Sequence, residues 1–329
     1  MVDCSRVRTT HPTPREQSML ARGWSSAAGR APLSAATMAA KFSSQALWNS
    51  SRRMKRRFVI PRKGHWSYKP CSSAFDSNGC RNGGITSSDI VEREYADLNL
   101  KDLYGAGQIG RVRIRQHVNP LGSSFSVPGE VPDWDDVFNN SKLPLMVDIG
   151  SGSGRLLIWL AKRFPESRNY LGLEIRHKLI QRCQFWAKEI CLRNIHFLSC
   201  NATISFERLV SSYPGPLVFV TILCPDPHFK KRHHKRRVLQ KPLVDSILNN
   251  LITEGQVLLQ SDVLQVAMDM RDQFDLRIDV LKHIDAIDDS FSCDEDGWLQ
   301  YNPIGIRTER EIHAEFEGAK IYRRLYQKI

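Results

Sequence analysis

From Leu143 onward, short apolar runs alternate with longer segments whose apolar positions recur every three or four residues. Leu145 to Ile149 reads as a buried strand, and a helical pattern follows through Phe164. Asn169 to Glu174 is a second strand, with a helix from about His177 to Leu192 behind it. Ile195 to Leu198 and Leu217 to Leu223 are the third and fourth strands. Leu243 to Ile252 is helical, Gln256 to Gln260 is a fifth strand, a helix lies near Leu264 to Phe274, and a last strand lies near Ile321 to Tyr326. Short apolar strands interleaved with amphipathic helices predict a mostly parallel α/β sheet covered on both faces.

Upstream the pattern is different. Residues 1–63 are rich in Arg, Ser and Ala and carry little core periodicity. Residues 64–90 are dominated by Gly, Ser, Asn and Cys and read as a linker, so regular structure is expected to begin in the 90s. Arg111 to Val118 alternates, which would put Arg111, Arg113 and Arg115 on one face of an extended segment. Asn119-Pro120-Leu121-Gly122 stops it, Pro128 to Pro132 is a loop, and Trp134 to Phe138 is a short helix. The chain thus divides into a leader (1–63), a linker and N-terminal extension (64–142) and a folded domain (143–329).

Charge sharpens that division. The net charge is +12, but residues 1–63 hold thirteen Lys and Arg against Asp3 and Glu16, while the remaining 34 Lys and Arg face 33 acids. Basicity is therefore a property of the leader, whose composition matches an organellar transit peptide. The competing reading is a basic tail for RNA binding or nuclear entry, and Arg52-Arg53-Met54-Lys55-Arg56-Arg57 supports it. No stretch approaches the roughly 18 apolar residues of a membrane span. The eight cysteines contain no Cys-x-x-Cys pair, so no zinc site is expected, and their scatter fits a reducing compartment.

Within the domain, Cys224-Pro225-Asp226-Pro227-His228-Phe229 runs directly into Lys230-Lys231-Arg232-His233-His234-Lys235-Arg236-Arg237. Two prolines make a stiff, non-helical corner around one carboxylate. A fixed acid beside a local cationic block suits recognition of a base within a nucleic acid, although such a block alone also reads as a solvated helix or a localisation signal. Asp148-Ile149-Gly150-Ser151-Gly152-Ser153-Gly154 follows the first strand and lets backbone approach a ligand, or serves simply as a tight turn. It has neither the G-x-G-x-x-G spacing of dinucleotide binders nor the Lys of a P-loop. Glu174 ends the second strand, where a carboxylate can hold ribose hydroxyls. Asn201-Ala202 follows the third strand; its amide can meet an adenine edge or be an ordinary turn Asn.

Asp148 to Gly154, Leu171-Gly172-Leu173-Glu174, Asn201-Ala202 and Asp226 occur in an order that resembles class I S-adenosylmethionine-dependent methyltransferases. More narrowly, Cys224 to Arg237 is similar to the signature of tRNA (guanine-N7-)-methyltransferases, as is Thr308-Glu309-Arg310-Glu311 with Ile321-Tyr322 beyond it. The similarity covers about residues 143–329, and Arg111 to Leu121 resembles plant-type organellar members. The resemblance implies a Rossmann-like, doubly wound, seven-stranded sheet and methyl transfer from S-adenosylmethionine to N7 of a tRNA guanosine, in the variable loop. It implies that Asp148, Gly150, Gly152, Glu174, Arg176, Asn201, Ala202 and Leu223 bind the cofactor. Asp226 matches the catalytic position. Lys230, His233 and Arg236 match positions that serve the tRNA, and Asp262, Thr308 and Glu311 match substrate contacts; no metal is implied. His228 departs from the Trp of many bacterial members and resembles eukaryotic ones. The resemblance points to a chloroplast enzyme, with the mitochondrion as the alternative and the nucleus behind both. It also points to action without a protein partner, although nuclear members work with a WD-repeat protein. Two rivals are a same-fold methyltransferase acting on another RNA and a non-catalytic RNA-binding assembly subunit.

Overall fold

The computed structural model describes residues 84–100, 103 and 118–329, all within the compact unit Ile60–Ile329. The leader 1–63, most of the expected linker, and Arg111, Arg113 and Arg115 lie outside the described residues.

Among the described residues, regular structure is present earlier than the 90s that the pattern predicts, with α1 at Ser87–Glu94. Thr86 explains this. Its hydroxyl accepts from the Asp89 amide at 3.2 Å, and Asp89 Oδ2 accepts from the Thr86 amide at 2.8 Å. This reciprocal cap needs only Thr and an acid three residues apart, a signal that apolar periodicity does not carry. A 3-10 turn (Ala96–Leu98) follows, and then α2 (Trp134–Val137), capped by Asp133.

The domain then runs β1 (Leu145–Ile149), α3 (Arg155–Arg163), β2 (Asn169–Glu174), α4 (His177–Glu189), β3 (Ile195–Ser199), α5 (Ala202–Ser211) and β4 (Leu217–Leu223). It continues with α6 (Lys241–Asn250), β5 (Leu251–Ser261), α7 (Leu264–Asp275), β6 (Leu281–His283), α8 (Glu309–Phe316) and β7 (Tyr322–Lys328). These strands form one seven-stranded sheet in the order β3-β2-β1-β4-β5-β7-β6. β1 to β5 pair in parallel, and β7 lies antiparallel between β5 and β6.

Every residue of β1 is buried, as expected for a central strand with helices on both faces. Leu157 and Ile158 of α3, Phe206 of α5, Ile247 of α6 and Phe274 of α7 supply much of that cover, each at 1% exposure or less. Three elements escape the sequence pattern. β6 is three residues long with one buried apolar side chain, too short for an alternation to show. α5 and α8 each begin at a capping residue, Asn201 and Thr308; α5 has its buried stripe interrupted by Ser205, and α8 is only eight residues long. β5 also starts earlier than expected, at Leu251, because the ladder to β4 slips between Leu217 and Phe219.

The chain lays down β1, β2 and β3 outward in one direction, then crosses to start β4 on the other side of β1. That reversal opens a crevice at the carboxyl ends of β1 and β4, the usual ligand position in open α/β sheets.

Candidate active site

The floor of the crevice is the turn from β1 into α3. Gly150, Gly152 and Gly154 have φ of 86°, 54° and 73°, a region that side chains with a Cβ rarely adopt. The amides of Gly150 and Ser151 both donate to the Leu173 carbonyl, at 2.8 and 3.1 Å, which lashes the turn to the end of β2. A Cβ on Gly172 would come within 2.5 Å of the Phe197 ring and 2.9 Å of Ser151 Oγ, so the bare backbone there is a packing requirement. Below the turn, the buried Asp148 Oδ1 accepts from Thr221 Oγ1 of β4 at 2.8 Å. Burial pushes the Asp148 carboxyl up to about 7; the Thr221 hydrogen bond opposes this and the Glu174 charge adds to it.

Glu174, 3% exposed at the tip of β2, faces the same crevice. Its carboxylate accepts from the Gly152 amide at 3.1 Å, from the Arg176 amide at 3.0 Å, and from Arg176 Nε and Nη2 at 2.9 Å each. Asn201 caps α5 by accepting from the Thr203 amide at 3.1 Å, and its Nδ2 donates to the Pro120 and Phe125 carbonyls at 3.2 and 3.4 Å. It lines the crevice, but its side chain fastens the loop after residue 118 to the domain. Ala202 lines the crevice as well, whereas Leu223 ends β4 just short of it.

The opposite wall is the Pro-Asp-Pro corner. It is bracketed by two non-glycine residues in the left-handed region, Cys224 with φ 49° and His228 with φ 43°. Such conformations cost on the order of 1–3 kcal/mol each and persist only where the surroundings impose them. The Cys224 amide donates to the Gln260 carbonyl at 2.7 Å, and Arg237 Nε donates to the Pro227 carbonyl at 3.0 Å. Arg237 is itself 6% exposed and pairs with Asp269 of α7 at 3.2 Å, so it is a strut rather than a phosphate ligand. Burial holds the Cys224 thiol up at about 12, well outside nucleophilic range.

Asp226, His228 and Arg236 line the crevice together with Glu174 and Arg176. Arg236 Nε is buried without a hydrogen-bond partner. The basic run is not an α-helix; Lys231–Arg236 winds into 3-10 turns that leave Lys230, Lys231 and Arg232 exposed. Slight loss of hydration, then the charges of Arg236, Arg232, Lys230 and Lys235, hold the His233 imidazole below its usual value.

Three expected substrate contacts sit elsewhere. Glu311 is fully buried and pairs with Arg323. Its Oε2 also accepts from Gln260 at 3.1 Å, Asn302 at 3.2 Å and the Thr308 amide at 3.2 Å. Thr308 Oγ1 in turn accepts from the Glu311 amide at 3.1 Å, capping α8. Asp262 is paired with Arg310 Nη2 at 2.6 Å. None of the three lines the crevice; they brace the strand ends behind it, where Gln260 reaches Cys224 Sγ at 3.7 Å. Conversely, Ile175, Thr203, His228 and Val238 line the crevice although none was expected to bind cofactor or substrate. Of these only His228 carried a sequence signal, its place after Pro-Asp-Pro.

Among the described residues, His283, Asp285 and Cys293 approach one another within 4.8 Å, a cluster that cysteine spacing does not reveal. It lies at the β6 edge of the sheet, and the adjacent Arg324 charge disfavours a cation there. No helix among the described residues is long and apolar enough to cross a membrane.

The cleft is open to solvent and spans about 740 Å³ with its mouth included. An added Cβ on Gly150 would meet nothing within 4 Å, so the turn faces open space at that residue. Open glycine backbone at Gly150 and the strand-end carboxylate of Glu174 fit an amino-acid-bearing nucleoside.

Fold and site together define a Rossmann-like methyltransferase, and residues 142–324 match the family model described as a putative methyltransferase. A tRNA (guanine-N(7)-)-methyltransferase of Synechocystis sp. is 42% identical over 221 residues, covering 67% of this chain and 99% of the relative. The enzyme of the same name from Trichormus variabilis is 41% identical over 220 residues, covering 66% and 97%. The chain belongs to the tRNA (guanine-N(7)-)-methyltransferase family.

Proposed function

We propose that the protein methylates N7 of a guanosine in tRNA, using S-adenosylmethionine. When bound, that cofactor supplies a methyl group on a sulfonium sulfur. Guanine N7 offers an in-plane lone pair and carries no proton, so bond formation at N7 and departure of the thioether require no general base. The residues here therefore act by placement and by charge. Gly150, Gly152 and Glu174 would seat the cofactor, with Asp148 beneath them. Asp226 provides a fixed carboxylate at the wall of the cleft, suited to the positive charge that methylation leaves on the base. Alignment at a near-attack distance of roughly 3 Å supplies much of the rest.

The observation that carries this reading is the corner itself. Two left-handed residues and the Arg237 strut fix Asp226 in the cleft that also holds Glu174, and an exposed cationic run begins four residues later, at Lys230. Phosphate contacts by Lys230, Lys231, Arg232 and Lys235 give affinity without reading sequence. The variable loop is the expected target, through the family resemblance. An organellar location rests on the Arg- and Ser-rich leader.

The test uses unmodified tRNA transcripts and methyl-labelled S-adenosylmethionine. Label transfer followed by one aniline-induced break in the variable loop establishes reaction, atom and site. Label without a break moves the target atom; no label with intact cofactor binding favours the assembly-subunit reading. Asp226→Asn should cut turnover while sparing cofactor binding, and tRNA affinity should fall steeply with salt. A fusion of residues 1–63 to a fluorescent protein tests the location.

A further inference from the structure

The mouth of the cleft carries two exposed apolar side chains, one on each lip. Phe229 follows the lining residue His228 and is 66% exposed; Leu121 follows the lining residue Pro120 and is 55% exposed. A single exposed apolar residue is ordinary. These two stand where a substrate must pass, and both stand on fixed backbone. The Pro227 carbonyl accepts from Arg237 Nε at 3.0 Å, His228 is left-handed, and the Lys230 carbonyl accepts from the His233 amide at 2.6 Å. On the other lip the Pro120 carbonyl accepts from Asn201 Nδ2 at 3.2 Å. The corner that fixes Asp226 therefore also holds the Phe229 ring out in solvent. Three residues separate the two, a span of at most about 10 Å.

Lys230, Lys231 and Arg232 follow, all exposed. This lip thus presents a carboxylate, a ring and three cations in that order. Cations suit phosphates, and a ring suits the face of a base. A guanine inside a stack cannot bring N7 to the wall of a cleft. It has to leave the stack, and its neighbour then loses a partner.

We propose that Phe229 stacks on the base next to the target guanosine, filling the place in the stack that the guanine vacates. The inference rests on the tRNA-methyltransferase reading of the cleft. The ring lowers the cost of extraction without reading sequence, since every base has a π-face. Leu121 gives the other lip an apolar edge but no flat face, so Phe229 is the stacking partner. Its contribution does not depend on salt, whereas that of the neighbouring cations does.

The test uses the full chain with S-adenosylhomocysteine and a tRNA transcript that wild type methylates, its target guanosine located by aniline cleavage. Affinity for tRNA is measured in wild type, Phe229→Ala, Phe229→Leu and Phe229→Tyr, with folding checked by thermal melting. Phe229→Ala should raise Kd for tRNA roughly tenfold, within the range for one stacked base. Tyr, which keeps the flat ring, should restore most of that affinity, and Leu should fall between. The slope of log Kd against log salt should keep its wild-type value in Phe229→Ala, whereas Lys231→Ala should lower it by about one. An abasic nucleotide is then placed immediately 5′ or immediately 3′ of the guanosine. One of the two should cost wild type roughly tenfold in affinity. The same change should cost Phe229→Ala almost nothing, because the ring that used that base is already gone. Wild-type affinity in Phe229→Ala overturns the proposal, as do abasic losses that are equal in wild type and Phe229→Ala at both positions. If wild type transfers no label to any tRNA, the methyltransferase reading itself falls, before any variant is compared, and the stack falls with it.

Discussion

Thr221 of β4 donates its hydroxyl to Asp148 of β1 at 2.8 Å, joining the two strands between which the cleft opens. The bond is buried, and burial raises the Asp148 carboxyl to about 7 in spite of it. In the unfolded chain the same group titrates near 4. Between those values the folded state holds the extra proton. Stability from this group is therefore intact below about pH 4, declines as pH rises, and is lost above about pH 7. Asp148→Asn keeps the shape and removes the titration. Thermal melting of both proteins from pH 5 to 8 should show wild type losing stability relative to the variant, by a few kcal/mol at most. Parallel curves would mean that Asp148 stays ionised in the fold.

Arg155 opens α3 immediately after the glycine turn and ties it to both ends of the domain. It pairs with Glu92 of α1 at 3.1 Å and Glu309 of α8 at 2.8 Å, and stacks over Trp186 with its guanidinium carbon 5.2 Å from the ring centroid. Arg307 makes a parallel tie to Glu94, at 2.7 Å. The N-terminal helix therefore buttresses the cofactor turn. Arg155→Met should cost about 2 kcal/mol, less than a fully buried pair because both acids are partly solvated. A chain starting at residue 96, which lacks α1, should melt several degrees below one starting at residue 84, at roughly 2–4 °C per kcal/mol.

The sequence made the sheet readable where strands are buried on both faces, because β1, β2 and β4 are mostly apolar runs bounded by turns, and β3 shows as a shorter run with alternating burial. It hid β6, whose one buried side chain is Leu281, and α1, which is announced by Thr86 and Asp89 alone. The cleft half of the expected site came together: Gly150, Glu174, Arg176, Asn201, Ala202, Asp226 and Arg236 line one cavity. Roles were less legible than places. A motif locates Glu311 but cannot show that its carboxylate faces Arg323, nor that Arg237 turns inward while Lys230 and Lys231 stay out. Those outcomes depend on contacts between residues far apart in the chain.

Glu311 tests that distinction. It and Arg323 are both almost wholly buried, and removing one partner of a buried pair leaves an uncompensated charge, at a cost of about 3–5 kcal/mol. Glu311→Gln should lower the melting temperature sharply, and pairing it with Arg323→Met should recover much of the loss. At a temperature where the single variant is folded, its KM for tRNA should match wild type. A normal melting curve with a raised KM for tRNA would make Glu311 the guanine contact that the family resemblance implies.

Gly150 and Gly154 belong to the same turn but should fail in different ways. Both have positive φ, so alanine at either position carries backbone strain of roughly 1–2 kcal/mol. At Gly154 the new Cβ would also lie 2.6 Å from Cys183 Sγ and 3.0 Å from the Phe197 ring, forcing α3 off the sheet. At Gly150 it would meet no protein atom within 4 Å and would project into open space beside the cleft. Gly154→Ala should therefore lose several degrees of melting temperature, with cofactor affinity following as the turn moves. Gly150→Ala should lose little beyond the strain, yet bind S-adenosylhomocysteine far more weakly, because the added methyl group occupies ligand space. Melting curves and calorimetry on the two variants separate these outcomes. Wild-type affinity in Gly150→Ala would show that the cofactor does not lie against the open face of the turn.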